Sequence, residues 1–274
     1  MGIQSFLKAQ KGDPDWAYTP EEYFDKEFTV IDANMIELGQ DRTDKIVLRH
    51  SPEEKKMLAK NLRFDVREGA TLDVTIINEA GKNLQQVFIY DIRVREGGTI
   101  NLGLFIKGGK LNKHIMQVVL DDGANFNAYG YAMNNVGGDC EIISKVEHQG
   151  VYTISNQFFG TEAGKDSQTV FQGMINVQQN AYHATVGVEN INLNLGGGYC
   201  HGVPEIYNGN DTSKISSGTT TEPLDQDRTY YLQTRGLSQA NSESVIINTH
   251  RRMALNIVQD QDVRTEIEQM FLDT

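Results

Sequence analysis

From Arg63 onward, apolar and polar residues alternate with a period of two. "LRFDVREGATLDVTIIN", "QQVFIYDIRVREGGTINLGLFI" and "HIMQVVLDDGANFNAYGYAM" carry the pattern most plainly. Successive side chains of a strand point to opposite faces, so the alternation predicts strands with one face toward a core. A recurring acid–glycine–small turn punctuates the blocks: "REGAT" at Gly69, "REGGT" at Gly97 and "DDGAN" at Gly123, spaced 28 and 26 residues apart. A return to the same turn at such a period marks stacked supersecondary units rather than one closed barrel. The units hold no helical stretch, which excludes leucine-rich and ankyrin repeats. The pattern predicts a mainly β chain with a β-solenoid core over residues 63–225, each strand pairing in parallel with the one a full coil earlier. An antiparallel sandwich is the competing reading.

The alternation fails at both ends. Residues 1–62 are expected to form a separate N-terminal segment with short helices. Thr19 and Pro20 would start one in "TPEEYFDKEF", and Ser51 and Pro52 another in "SPEEKKMLAKNL". Residues 226–274 read as a C-terminal helical block. Its first helix stops at Gly236 and Ser238 caps a longer one, with Ile246, Met253, Ala254 and Ile257 on one face. A last helix follows, with Val263, Ile267, Met270 and Phe271 at helical spacing.

Composition narrows the class. A chain of 274 residues can bury a sizeable core, and 39% hydrophobic with 23% charged residues suits a soluble globular protein. The net charge of -12 argues against nucleic acid or an anionic membrane as partner. No apolar run approaches the roughly 20 residues of a membrane-spanning helix. "MGIQSFLKAQKGDPDW" lacks the apolar core and cleavage site of a secretory signal. The two cysteines, Cys140 and Cys200, make no disulfide framework, so a reducing cytoplasm is expected. No G-x-x-x-x-G-K-[ST] loop occurs, so no nucleotide is expected to bind directly.

The chemistry concentrates in "GGGYCHGVPE", Gly196 to Glu205. Cys200 is either a reactive thiol or a small buried hydrophobe. Three glycines let other groups approach the backbone, and a protonated His201 would lower the thiol pKa. Neighbours on a strand face opposite ways, so Cys200 and His201 share a metal only if the backbone is irregular there. Glu205 is either a further ligand or a solvated edge residue. Cys140, in "GGDCEII", reads as core packing, with a sulfur relay as the alternative. His148 reads as a buried, hydrogen-bonded histidine. His114, His183 and His250 show no partner, and Asp121 and Asp122 belong to a turn.

Several stretches align in order with a known family. "GKDSQTVFQGMINV" resembles G-K-D-S-R-T-x-F-x-G-x-x-x-V, "VENINLNLG" resembles Q-x-N-x-N-L-L-L, and "VPEIY" resembles the proline–glutamate strand that follows it. "YYLQTRGLS" is similar to F-Y-L-x-S-R-G-I-S, and "KVEHQGVYTISNQ" to V-x-H-x-x-P-x-x-S without its proline. Together they resemble a short form of the SufB/SufD core family of iron–sulfur cluster assembly, the SUF system. The resemblance implies a right-handed parallel β-helix that forms a homodimer or pairs with a SufB/SufD-like paralogue. It implies a SufC-like ABC ATPase docked on the C-terminal helices through Tyr230, Tyr231, Arg235 and Gly236, and a sulfur donor protein. It further implies a scaffold rather than an enzyme, with a transient iron–sulfur cluster or persulfide held near Cys200, and His201 and Glu205 as additional ligands. Cys200 falls at the SufB-type cysteine. Ser216 and Ser217 stand where the family carries a histidine that is a cluster ligand of the SufD-type subunit. A SufD-like structural partner without its own cluster is the alternative. A β-helix carbohydrate-active enzyme is a further one, needing acids clustered on one solenoid face.

Overall fold

The alternating blocks become strands of nearly uniform length in a computed structural model that describes residues 14–20, 29–50, 57–135, 137–255 and 258–272. The strands are β1 (Thr29–Leu38), β2 (Thr43–His50), β3 (Met57–Val66), β4 (Thr71–Ala80), β5 (Gln85–Val94), β6 (Thr99–Gly108) and β7 (Leu111–Leu120). They continue as β8 (Asn125–Asn134), β9 (Asp139–His148), β10 (Ile154–Ala163), β11 (Gln168–Val177), β12 (Thr185–Asn194), β13 (Tyr199–Asn208) and β14 (Lys214–Pro223). Odd-numbered strands form one seven-stranded sheet, here sheet A, and even-numbered strands form sheet B. Every pairing is parallel and joins a strand to the one two further on. This is the expected solenoid, with the two sheets enclosing one core from Leu38 to Val188.

The corner after each odd strand explains the glycine period. Gly69, Gly97 and Gly123 have φ of 65, 62 and 65°, the left-handed region where a side chain is strained. The backbone amides stack there: Gly69 donates to Glu96, Gly97 to Asp122 and Gly123 to Val151. Asp41, Tyr152 and His183 take the same conformation, with φ of 53, 56 and 62°. The geometry therefore repeats through more coils than the glycines mark.

Two expectations for the N-terminal region are corrected. The solenoid begins at Thr29, ahead of Arg63, and Met57–Leu62 is strand rather than helix. Leu58, Leu62, Phe64 and Val66 all join the core, and pairing with β5 overrides the local helical signal. The start of that helix at Ser51 and the body of the one after Pro20 lie outside the described residues. Ahead of β1, a 3-10 turn at Pro14–Trp16 lays Trp16 on the outer face of sheet A, against Ala59, Val87 and Ile115. Thr19 donates to Glu141, which forms a buried ion pair with Lys113.

The C-terminal block comprises α1 (Gln226–Thr234), α2 (Gln239–Leu255) and α3 (Gln261–Leu272). Asp225 caps α1, Gly236 at φ 97° ends it, and the Ser238 hydroxyl accepts from the Asn241 amide. Val263, Ile267, Met270 and Phe271 pack with Ala254 and Leu255 on Phe105, Tyr131 and Met133, on the outer face of sheet B. Ile246 is buried, but Met253 is exposed, and Ile257 lies outside the described residues. No described helix is long and apolar enough to cross a membrane.

Inside the solenoid, His148 sits between the hydroxyls of Thr153 and Ser155 at 2.7 and 2.8 Å. Burial pulls its pKa from 6.5 down to about 4. The unfolded chain therefore binds a proton that the folded one refuses as pH falls below about 6.5. Stability is complete above that value and is lost as pH drops through about 4, by about 3 kcal/mol at pH 4 from this residue. Thermal unfolding followed by circular dichroism should show the midpoint falling from pH 6.5 to 4, with a shallower fall in His148→Gln. Identical pH dependence in both proteins would contradict a neutral buried His148.

Candidate functional site around Cys200

Three glycines deliver the chain into β13. Gly196 and Gly197 have φ of 57 and 95°, and a Cβ on Gly198 would collide with the Ala163 carbonyl of the preceding coil. From Tyr199 to Asn208, β13 runs in unbroken register with β11. That regularity decides the direction of each side chain. Cys200 pairs with Thr169, which pairs with Cys140, and all three line the solenoid interior. His201 faces out, so Cys200 and His201 stand on opposite faces of one strand.

Cys200 is only 3% exposed. Thr169 Oγ1 donates to Sγ at 3.0 Å, Sγ donates to the Leu193 carbonyl at 3.4 Å, and the Cys200 amide donates to Asn194 Oδ1 at 2.8 Å. Burial pushes the thiol pKa up. The hydroxyls of Thr169 and Thr161 and a backbone contact with Ala163 pull it back, and the Glu162 charge adds to the rise. The surroundings are hydroxyls and amides. Thr161 donates to Asn192, whose amide reaches Thr219 and Thr221. Cys140 differs, because it belongs to the apolar core cluster and burial drives its pKa far up.

On the outer face, His201 lies against Tyr18 at a ring separation of 5.2 Å and against Tyr199 at 5.9 Å. Gln168 anchors this contact by donating to the Tyr18 carbonyl at 3.2 Å. Glu205 is exposed and accepts from Gln172 at 3.1 Å. It stands four residues beyond His201, about 13 Å along the strand at ~3.3 Å per residue. Among the described residues, no three His, Cys, Asp or Glu side chains converge as a metal site. A single chain therefore offers an inward thiol on one face and an imidazole and a carboxylate on the other.

The end coil is open. β13 and β14 are the last strands of their sheets, and β14 is exposed along its whole length. Ser216 takes the outward register on β14 and Ser217 the inward one. Farther along, α1 presents Tyr230 and Tyr231 at 69% and 56% exposure, with the Arg235 guanidinium 5.1 Å from the Tyr231 ring. Of the remaining histidines, His114 bonds Tyr90 and Asn112 inside the core, and His183 stacks on Tyr152 at a corner.

The profile of the family described as "SUF system FeS cluster assembly, SufBD core domain" matches residues 23–250. The chain belongs to this family. The iron-sulfur cluster assembly protein SufD of Escherichia coli (strain K12) is 24% identical over 209 residues, 75% of this chain and 49% of that protein. The protein of the same name from Plasmodium falciparum (isolate 3D7) is 23% identical over 218 residues, 77% of this chain and 14% of that protein. The chain thus spans about half the length of the bacterial relative and a much smaller share of the other.

Sequence reasoning missed Thr169, the hydroxyl nearest the thiol. Its signal was the rung spacing, since Thr169 lies 31 residues before Cys200, one full coil. Replacing Thr169 with Val keeps the shape and removes the donor. The Cys200 titration midpoint should then rise, read from the 13Cβ shift of labelled cysteine. An unmoved midpoint would show that the hydroxyl does not stabilise the thiolate.

Proposed function

We propose that this chain is a scaffold component of SUF-type iron–sulfur cluster assembly, holding sulfur at Cys200 as a persulfide or as a ligand to a cluster in transit. The observation that carries the reading is the setting of Cys200: a thiol in the last coil, among hydroxyls and amides, beside an open solenoid end. The Cys200 thiolate attacks the outer sulfur of a persulfide on a sulfur donor protein. The donor S–S bond breaks, the donor leaves as a thiolate, and the sulfur stays on Cys200 with no external oxidant or reductant.

One thiol cannot hold a cluster alone. The unpaired edges of β13 and β14 are templates for strand pairing. A second copy, or a SufB/SufD-like paralogue, joined there brings another set of ligands to the open end. His201 and Glu205 serve iron only where that junction brings their outer face to a partner's ligands. A SufC-like ABC ATPase docks on α1 through Tyr230, Tyr231, Arg235 and Gly236, and supplies the nucleotide chemistry. Both cysteines are free thiols, which suits a reducing cytoplasm. A SufD-like partner that holds no cluster of its own is the second reading, favoured by the burial of the thiol.

Anaerobic reconstitution with iron and sulfide should give cluster absorbance in the wild type and most of it should be lost in Cys200→Ser. Equal uptake by both proteins removes Cys200 from the cluster role, and no uptake by the wild type selects the SufD-like reading. Binding to a SufC-like ATPase, measured by calorimetry, should weaken about tenfold in Tyr231→Ala, the loss of roughly 1.4 kcal/mol from an aromatic anchor. Undiminished binding in a Tyr230→Ala/Tyr231→Ala protein would remove α1 from the docking surface.

A further inference from the structure

Residues 14–20 lie as a strap on the outer face of sheet A. The strap bonds its own backbone, Ala17 to the Pro14 carbonyl at 3.4 Å and Thr19 to the Trp16 carbonyl at 3.1 Å. Side chains tie it to the sheet. Trp16 packs with Ala59, Val87 and Ile115, Asp15 pairs with Lys145, and Gln168 donates to the Tyr18 carbonyl at 3.2 Å. Tyr18 lies against the His201 ring, 5.2 Å away between centroids, so the strap covers one side of that imidazole.

Under the strap, Lys113 of β7 and Glu141 of β9 are ladder partners, ion-paired and buried on a face that alternation turns outward. The Thr19 hydroxyl sits between them, accepting from Lys113 Nζ at 2.9 Å and donating to Glu141 Oε2 at 2.9 Å. Glu141 Oε1 has no hydrogen-bond partner among the described residues. The desolvation of two charges outweighs their attraction where hydrogen bonds are left unmade. Both residues belong to the sheet, so the pair survives when the strap lifts and regains water on its open side. Trp16, Asp15 and the Thr19 hydroxyl therefore hold the strap down, and the charges that it covers work against it.

We propose that residues 14–20 are an autoinhibitory strap poised to open, closed over His201 by Tyr18 and weakened by the buried Lys113–Glu141 pair. While closed, the strap withholds the imidazole from metal; a partner arriving at β13 uses the open form. The inference rests on the reading of His201 as a ligand used at a junction with that partner.

Chymotrypsin cuts after large aromatic side chains, here Trp16 and Tyr18, and in the folded chain the rate follows the open population. Thr19→Val removes two hydrogen bonds to charged groups and should raise that rate about tenfold. Lys113→Met/Glu141→Leu fills similar space without charge and should lower it. Labelling of His201 by diethyl pyrocarbonate, located by peptide mass, should change in the same order. Equal strap cleavage in the wild type and Thr19→Val, faster cleavage in the double variant, or His201 labelling that ignores the strap overturns the proposal. If the double variant does not fold, Trp16→Ala takes its place. Cleavage after Tyr18 should then rise about tenfold or more, with faster His201 labelling, and no change in either overturns the proposal. These measurements use no iron, sulfide or ATPase, so a failed strap and failed cluster uptake are seen separately.

Discussion

Every side chain in the solenoid takes its direction from the parallel ladder that pairs each strand with the one two further along the chain. Once β11 and β13 are hydrogen-bonded residue for residue from Gln168 and Tyr199 to Val177 and Asn208, the inward set is fixed. A slip of one position would turn the whole set outward. The corner amides carry the ladder round the bend, where Gly97 donates to Asp122 and Gly123 to Val151, so the register propagates from coil to coil, with one shift between Asp32 and Met35 of β1. Cys200 faces the interior because Thr169 and Cys140 do. The placement of the site is thus a property of the stack, set several strands away from the glycines that flank it.

What was legible in the chain was what the ladder repeats. Alternation and the Gly69–Gly97–Gly123 spacing sufficed for the solenoid. They did not extend to Asp41, Tyr152 and His183, because the left-handed corner survives there without its usual residue. The helix expected after Ser51 failed for a related reason. Propensity is a local signal, while Leu58 and Leu62 find their core only through pairing with a strand farther along. The motif around Cys200 was visible, but the facing of Cys200 and His201 depended on a strand regularity that "GGGYCHGVPE" does not advertise. The glycines spend their freedom before Tyr199, in the turn and in the close approach of Gly198 to Ala163. The Lys113–Glu141 pair was not legible at all, since a base and an acid in strands read as solvated surface until residues 14–20 are laid on sheet A.

The interior changes character along the stack, and this separates the stabilising coils from the end that carries the thiol. Leu72, Val74, Ile76, Ile100, Leu102 and Leu104 give the early coils a continuous apolar filling. Toward β12 and β14, the inward positions become Asn190, Asn192, Thr219 and Thr221, joined to one another by hydrogen bonds. A polar filling contributes less on burial than an apolar one, because its hydrogen bonds replace bonds to water. β14 adds an edge with no strand beyond it and no buried residue. Local opening concentrates where apolar contacts are few. The last coil is accordingly a part of the solenoid that opens at low cost.

That gradient reconciles a buried thiol with the proposed role in carrying sulfur. A fully exposed cysteine would keep its ordinary acidity and react with whatever met it. A cysteine in an apolar core, as Cys140 is, stays protonated and shut away. Cys200 lies between these limits: burial raises its pKa, but Thr169 supplies a hydrogen bond that favours the thiolate, and the residue sits on the end strand of its sheet. Access then follows from opening the last coil rather than from standing exposure.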